Sequence, residues 1–479
     1  MEQMNRQSSR NVEWVLISLP VVAFAVWVGL HMQGLGFRIP QPHLGLDYAM
    51  GVFWWVIIAI AICTFTRESR RMLLWAWTGK FFVVLIAMLF YEQYYYLDGY
   101  AYFERHMIRG YWEWSVIDFR KDMLPSLQPL QVPGDDGPPV SYGIGFDNTL
   151  RFMLLLGKLT GPFYHAMKVG CAFLGLLGAW WFYRAIVVAL GRPYPSAFYL
   201  LAFFPSIIFW SSILGKDPIQ FLFLGLYAYG GAVWLVEGRL TSVWFIGAGL
   251  FGAYLLRPWI GLMGGAALFL ATLLGRSRGW QIGVMLVVCG PILFVVADHA
   301  SSLLNISPTQ SSSVISSTLQ VGALEVLQSK AEGFSADTQR FGGSGADITN
   351  LTSGGSLDAA LPLIMFSGLF RPLPFDITNP FTALAAVENT AVLLLAIVAL
   401  FRFRLAYIRD PLLLWLIIYA LMWTAFYGFI VLANFGSGVR YKLQVWPFLL
   451  MAILLLTHKE GRALLASRIP GVRRTVEHT

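Results

Sequence analysis

Apolar runs of about twenty residues, broken by short segments whose charge alternates, restrict this chain to very few folds. The runs at 385–401 and 412–432 are continuously apolar. Each is long enough for a helix to cross a bilayer core of about 30 Å. A membrane β-barrel would instead alternate apolar and polar residues in segments of about ten. Only 13% of the 479 residues are charged and 57% are hydrophobic, whereas soluble domains carry roughly 25% charged residues. The expected fold is an all-α integral membrane protein, a single polytopic domain over 1–479.

The segments between the runs set the orientation. One set is rich in Arg and Lys: Arg6 and Arg10, Arg67 to Arg71, Arg192, Arg239, Arg276 and Arg278, Arg402 to Arg409, and the tail with Lys459, Arg462, Arg468, Arg473 and Arg474. Under the positive-inside rule these lie in the cytoplasm. Spans are expected near 14–32, 49–65, 73–91, 162–189 and 195–213, then one returning by about 236, one ending outside at Arg257-Pro258 and one ending inside at Arg276 and Arg278, and finally near 281–298, 385–401, 411–432 and 443–457. That makes about twelve, with both termini cytoplasmic. The first run is too long and too poorly flanked for a cleavable signal peptide.

Two long outer loops follow, at 92–160 and 299–383, and 458–479 reads as a basic cytoplasmic tail. The first loop ends in an expected amphipathic surface helix at 145–157. The second begins Ser/Gly-rich, as mobile segments do, and its apolar end at 361–375 is expected to dip back into the membrane. The net charge of +8 is mostly cytoplasmic loop charge, which fits anionic membrane lipid and not nucleic acid. Cys63, Cys171 and Cys289 all fall in apolar runs, so no disulfide framework is expected.

The remaining cations need another explanation. Lys216, Arg257, Arg371, Arg440 and Lys442 fall on the outer side, each beside Gly, Pro or an aromatic. Arg binds phosphate in a bidentate fork and keeps its charge, and a helix N-terminus after Lys216 adds free N–H groups. Together they read as an anion site, although snorkelling to the interface would account for any one of them. Asp217, just before Pro218, equally suits a helix cap.

Asp98 sits in an aromatic stretch beyond a span, with Tyr100, Tyr102, Glu104 and His106 after it. A carboxylate among aromatics suits proton abstraction from a sugar hydroxyl, and rings form platforms for pyranose faces. An interfacial aromatic belt has the same pattern. Glu92 and Glu104 read as solvated or interfacial charges. Glu388 and Lys168 (with His165 nearby) are intramembrane charges, candidates for function, for a pair with each other or for snorkelling. Lys80 reads as snorkelling. Asp135, Asp136 and Asp147 lack metal-ligand spacing, so no metal or other cofactor is expected, though a divalent ion is compatible. There is no Walker A motif and no dinucleotide fingerprint.

Leu97-Asp98-Gly99-Tyr100 resembles the first-loop acidic motif of the GT-C membrane glycosyltransferases. The stretch from Phe204-Pro205-Ser206 through Gly215-Lys216-Asp217, together with Leu256-Arg257-Pro258, the run from Phe370 to Phe375, and Arg440, resembles polytopic proteins of bacterial exopolysaccharide gene clusters. The resemblance covers about 92–260 and 365–450. It implies a transferase in a bacterial inner membrane that uses a polyprenyl-phosphate-linked sugar on the outer face, with other polysaccharide-assembly proteins as partners. Asp98 would be the base or acceptor-positioning carboxylate, and Lys216, Arg257, Arg371 and Arg440 would hold donor phosphate. One departure is that two spans precede the one leading to Asp98. The alternatives are an O-antigen-type polymerase or ligase, with essential residues in 299–383, and a flippase or exporter, which would show repeat symmetry.

Overall fold

The computed structural model describes residues 44–65, 69–94, 98–103, 144–275, 279–287 and 357–468, together with Leu19, Ala23, Trp27 and Gly345. Glu104, His106, Asp135, Asp136, Cys289 and most of 299–383 lie outside the described residues. In chain order the helices are α1 (Leu44–Phe65), α2 (Arg70–Phe82), a π-helical turn (Val83–Ala87), α3 (Met88–Tyr94), α4 (Asp98–Phe103), α5 (Ile144–Thr160), α6 (Tyr164–Leu190), α7 (Pro195–Phe203), α8 (Pro205–Trp210), α9 (Lys216–Val236), α10 (Ser242–Leu256), α11 (Pro258–Leu274), α12 (Leu357–Phe370), α13 (Pro380–Phe401), α14 (Pro411–Ala433), α15 (Phe435–Tyr441), α16 (Trp446–Thr457) and α17 (Lys459–Arg468). No strand occurs among the described residues.

Among the described residues, five helices are long and apolar enough to cross a membrane: Gly45–Thr64 within α1, then α6, α9, α13 and α14. A sixth span is reached if Phe435–Gln444 and Trp446–Thr457, bent by 62°, count as one. The expected seventh and eighth spans are present as the shorter α10 and α11, of 15 and 17 residues. The expected fifth span is interrupted between α7 and α8 at Pro205, which has no N–H to continue the first helix.

The chain divides into two compact units: Met1–Ala179 with Phe198–Leu222, and Trp180–Ala197 with Phe223–Thr479. In the first unit, Trp55 and Trp77 stack with ring centroids 6.4 Å apart, and each indole N–H donates to the other's backbone carbonyl. These reciprocal bonds satisfy two polar groups that packing alone would strand. Within the π-helical turn, Leu85 O accepts from Tyr48 Oη at 2.5 Å. Polar residues of α5, namely Asp147, Asn148, Thr149 and Arg151, are buried. A helix lying at the membrane surface would turn them to water, so α5 is an interior element of its unit.

The second unit is organised around α14, on which α11, α12 and α16 pack. Trp415, Tyr419, Trp423 and Tyr427 recur every four residues and so share one face of α14. All four are buried, and each polar tip has a partner. Trp415 Nε1 donates to Tyr227 Oη at 2.6 Å and Trp423 Nε1 to Gln444 Oε1 at 3.1 Å. Tyr419 Oη donates to Gln444 O at 3.2 Å, and Tyr427 Oη accepts from Trp259 Nε1 at 2.7 Å. The helix starts are local in origin. Asn379, Asp410 and Asn434 accept hydrogen bonds from first-turn N–H groups through their side chains, and Pro380 and Pro411 occupy first helical positions. In the basic tail, α17 packs on α16, and Arg468 lies 3.5 Å from Asp410 Oδ2.

Candidate functional site

In the first unit Asp98 opens α4, a helix of only six residues. Gly99 fixes where that helix rests: a Cβ there would stand 2.3 Å from Leu214 O, so only glycine allows the approach. Tyr102 lies against Gly215, 3.8 Å from the position of a Cβ on that glycine, and its ring is 5.1 Å from that of Phe146 on α5. Phe103 meets Tyr164 at the start of α6, with rings 5.4 Å apart. The acidic motif and the Gly215-Lys216-Asp217 motif are therefore packed together. Lys216 is half-buried at the start of α9, and Asp217 is buried in its first turn, close to the expected cap. The side chains of Asp98 and Tyr100 lie outside what the structure describes.

Close to α4 is an ionic network that the sequence reading missed. The Asp47 carboxylate accepts from the backbone N–H of Tyr164 at 2.6 Å and of His165 at 3.2 Å, and it also contacts His165 Nδ1. It thus places a negative charge at the N-terminus of α6, where the helix dipole favours one. Gly51 permits this, since a Cβ there would stand 2.8 Å from His165 Cβ. One turn along α6, Lys168 Nζ donates to Glu92 Oε1 at 2.8 Å, and Tyr164 Oη donates to the same oxygen at 3.0 Å. Two expectations change here. Glu92 is not a solvated charge, and the ion pair of Lys168 is with Glu92 and not with Glu388. Lys80 does not snorkel either. It is buried, and its ammonium donates to Ser211 O at 3.1 Å, Ser211 Oγ at 2.8 Å and Ser212 Oγ at 2.9 Å. The three acceptors match its three N–H groups.

In the second unit the expected outer cations converge. Arg257 links α10 to α11 in an extended conformation imposed by Pro258. It is buried, and its guanidinium sits 5.2 Å from the centre of the Tyr441 ring, close enough for cation–π attraction. Arg440 and Lys442 stand on either side of Tyr441, at the break between α15 and α16. Lys442 is fully buried. Its ammonium donates to Arg371 O at 2.6 Å and to Asn389 Oδ1 at 2.9 Å, and it lies 5.2 Å from the Trp446 ring. Asn389 Nδ2 in turn donates to Pro372 O at 2.8 Å.

Arg371 follows α12, and its guanidinium bonds Asp376 in a fork, with Nε 2.9 Å from Oδ2 and Nη2 on Oδ1. The rings of Phe435 and Phe375 lie 5.0 and 5.8 Å from it. Burial alone would push the Asp376 carboxyl up. Hydrogen bonds from Arg371 and from the Leu373 N–H, with the guanidinium charge, outweigh that and hold it below the usual carboxylate range. Glu388, buried on α13, interacts electrostatically with Lys442. Among the described residues, four cations (Arg257, Arg371, Arg440, Lys442) thus accompany two carboxylates (Asp376, Glu388).

No family model matches the chain, and neither a characterised protein nor a solved structure is detectably similar to it.

Of the expected site residues, Asp98, Tyr102, Lys216 and Asp217 belong to the first unit. Arg257, Arg371, Arg440, Lys442 and Glu388 belong to the second. Asp376 and Asn389 were missed. Asp376 stands five residues after Arg371, and the Arg-Pro-Leu-Pro-Phe-Asp run is the signal that could have paired them.

Proposed function

We propose that the chain is a membrane glycosyltransferase of GT-C-like type. It would move a sugar or oligosaccharide from a polyprenyl phosphate or diphosphate to an acceptor hydroxyl, in exopolysaccharide or cell-surface glycan assembly. The observation that carries the reading is the docking of the Asp98 helix on the turn that leads into Lys216, through Gly99 against Leu214 and Tyr102 against Gly215. A carboxylate-bearing motif and a cation at a helix start are then neighbours in one unit, as proton abstraction beside a departing phosphate requires. The acceptor oxygen attacks the anomeric carbon, the bond from that carbon to the phosphate oxygen breaks, and the phosphate leaves with the electron pair. Asp98 takes the acceptor proton, and Lys216 offsets charge growing on the leaving group. Arg257, Arg371 and Arg440 belong to the second unit and are the other candidate cations for donor phosphate. The chain would cross the inner membrane about twelve times, with both termini cytoplasmic and the site on the outer face.

An O-antigen-type polymerase or ligase draws its essential residues from 299–383. The Arg371–Asp376 fork lies in that segment and favours it as the second reading. The deciding experiment uses the purified full chain in proteoliposomes with a radiolabelled polyprenyl-phosphate hexose and an acceptor glycan. General-base loss costs about 10²–10⁴-fold. Asp98→Asn should lower turnover by that order with donor affinity nearly unchanged. Wild-type turnover in this variant would sink the Asp98 mechanism and move attention to the second reading.

A further inference from the structure

We propose that Arg371 is a pre-organised receptor for a lipid-borne phosphate, and that Asp376, Asn389 and Lys442 are positioning residues that act through it. The proposal deepens the transferase reading and rests on its counting Arg371 among the candidate cations for donor phosphate.

Each freedom of Arg371 is removed by a separate partner. Its backbone carbonyl accepts from Lys442, and the next carbonyl, of Pro372, accepts from Asn389. Lys442 and Asn389 also bond each other, so the two carbonyls are held by one coupled pair of buried side chains. The guanidinium plane is set by the Asp376 fork and flanked by Phe375 and Phe435. A guanidinium has five N–H groups, and the fork uses two of them, on Nε and Nη2. Nη1 makes no hydrogen bond among the described residues, and the side chain is 17% exposed. The edge formed by Nη1 and Nη2 is therefore left for an oxyanion, in the bidentate geometry that guanidinium and phosphate share.

The surroundings specify the ligand further. Among the described residues around the helix break, cations outnumber carboxylates, which favours an anion. Phe375, Ile377 and Phe381, all within ten residues of Arg371, are exposed apolar side chains. A phosphate carrying a hydrocarbon chain satisfies both features. Lys442 has a different task from the one its charge suggests. Its ammonium is turned onto Arg371 O and Asn389 Oδ1, so it holds the receptor and does not touch the ligand.

The test is equilibrium binding of farnesyl phosphate to the full-length protein in nanodiscs, with farnesol, inorganic phosphate and phosphatidylglycerol vesicles as comparison arms. Arg371→Ala should weaken farnesyl phosphate binding by about 10–100-fold, the range of a charge-assisted hydrogen bond. Asp376→Asn gives the decisive sign. Removing a negative charge strengthens anion binding if Asp376 merely repels the ligand, and weakens it if Asp376 aims Arg371; weakening by about tenfold is expected. Lys442→Met should weaken binding in the wild-type background and have no further effect on top of Arg371→Ala. Tighter binding in Asp376→Asn, additive losses in the Lys442–Arg371 pair, or equal binding of farnesol each overturn the proposal. Equal competition by phosphatidylglycerol assigns the receptor to bilayer phospholipid and keeps it; weaker competition assigns it to the polyprenyl carrier. Binding that follows these expectations while no sugar transfer is detectable would retire the transferase reading alone.

Discussion

Replacing Asp47 tests whether the buried network at the start of α6 holds the first unit together. The carboxylate is inaccessible and satisfies three N–H groups, two from the backbone and one from the His165 ring. Asp47→Ala strands all three. A buried donor without an acceptor costs about 1–3 kcal/mol, and breaking a buried charged pair costs about 3–5 kcal/mol in total once the surroundings relax. Asp47→Asn keeps one carbonyl oxygen for one or two of the donors and should cost about half as much, roughly 2 kcal/mol. The assay is unfolding of the full-length protein in mixed micelles with rising sodium dodecyl sulfate, followed by thiol labelling. Cys171 is a buried reporter on α6, six residues past His165. The expected order of stability is wild type, Asp47→Asn, Asp47→Ala. Two variants that both unfold within about 0.5 kcal/mol of wild type, the usual range for surface substitutions, would refute the view that Asp47 caps α6.

Gly99→Ala should disable the site without touching a charged residue. The new Cβ collides with Leu214 O unless α4 moves away, so transfer should fall at least tenfold while Lys216→Ala, made in this background, adds little. A second prediction concerns acid. Because the folded Asp376 carboxyl is held below its ordinary value, its pair with Arg371 stabilises the fold fully above the unfolded value of about 3.9 and loses that contribution as pH falls through the lower folded value. The stability difference between wild type and Asp376→Asn should be flat from pH 7 to about 4 and shrink below it; a difference already shrinking near pH 6 contradicts the assignment.

Long apolar helices were legible in the sequence because hydropathy needs only neighbouring residues. α6, α9, α13 and α14 lie within a few residues of expected spans, and Pro258 stands at the expected turn, whereas Pro205 breaks a span that was expected to be continuous. The grouping of Arg257, Arg371 and Lys442 was also foreseeable, from their shared position beside turn-forming residues. The ionic pairs were not. A buried lysine and a snorkelling one look alike along the chain, and the partners of Lys80 stand 131 and 132 positions away. Asp47 was overlooked for a boundary reason. Starting its span at 49 left the residue in a loop, whereas α1 begins at Leu44 and carries Asp47 in its first turn. An acidic residue inside an otherwise uncharged helix is a functional candidate by default.

The π-helical turn between α2 and α3 has a geometric consequence. On an uninterrupted helix of 3.6 residues per turn, positions 80 and 92 point about 120° apart. A turn bonded i to i+5 accommodates one extra residue, which rotates everything after it back by about 100°. Lys80, which reaches Ser211 and Ser212, and Glu92, which reaches Lys168, are thereby brought to nearly one side of a single rod. The five residues Val83–Ala87 work as a phase slip: they let the segments before and after them aim Lys80 and Glu92 along a common line.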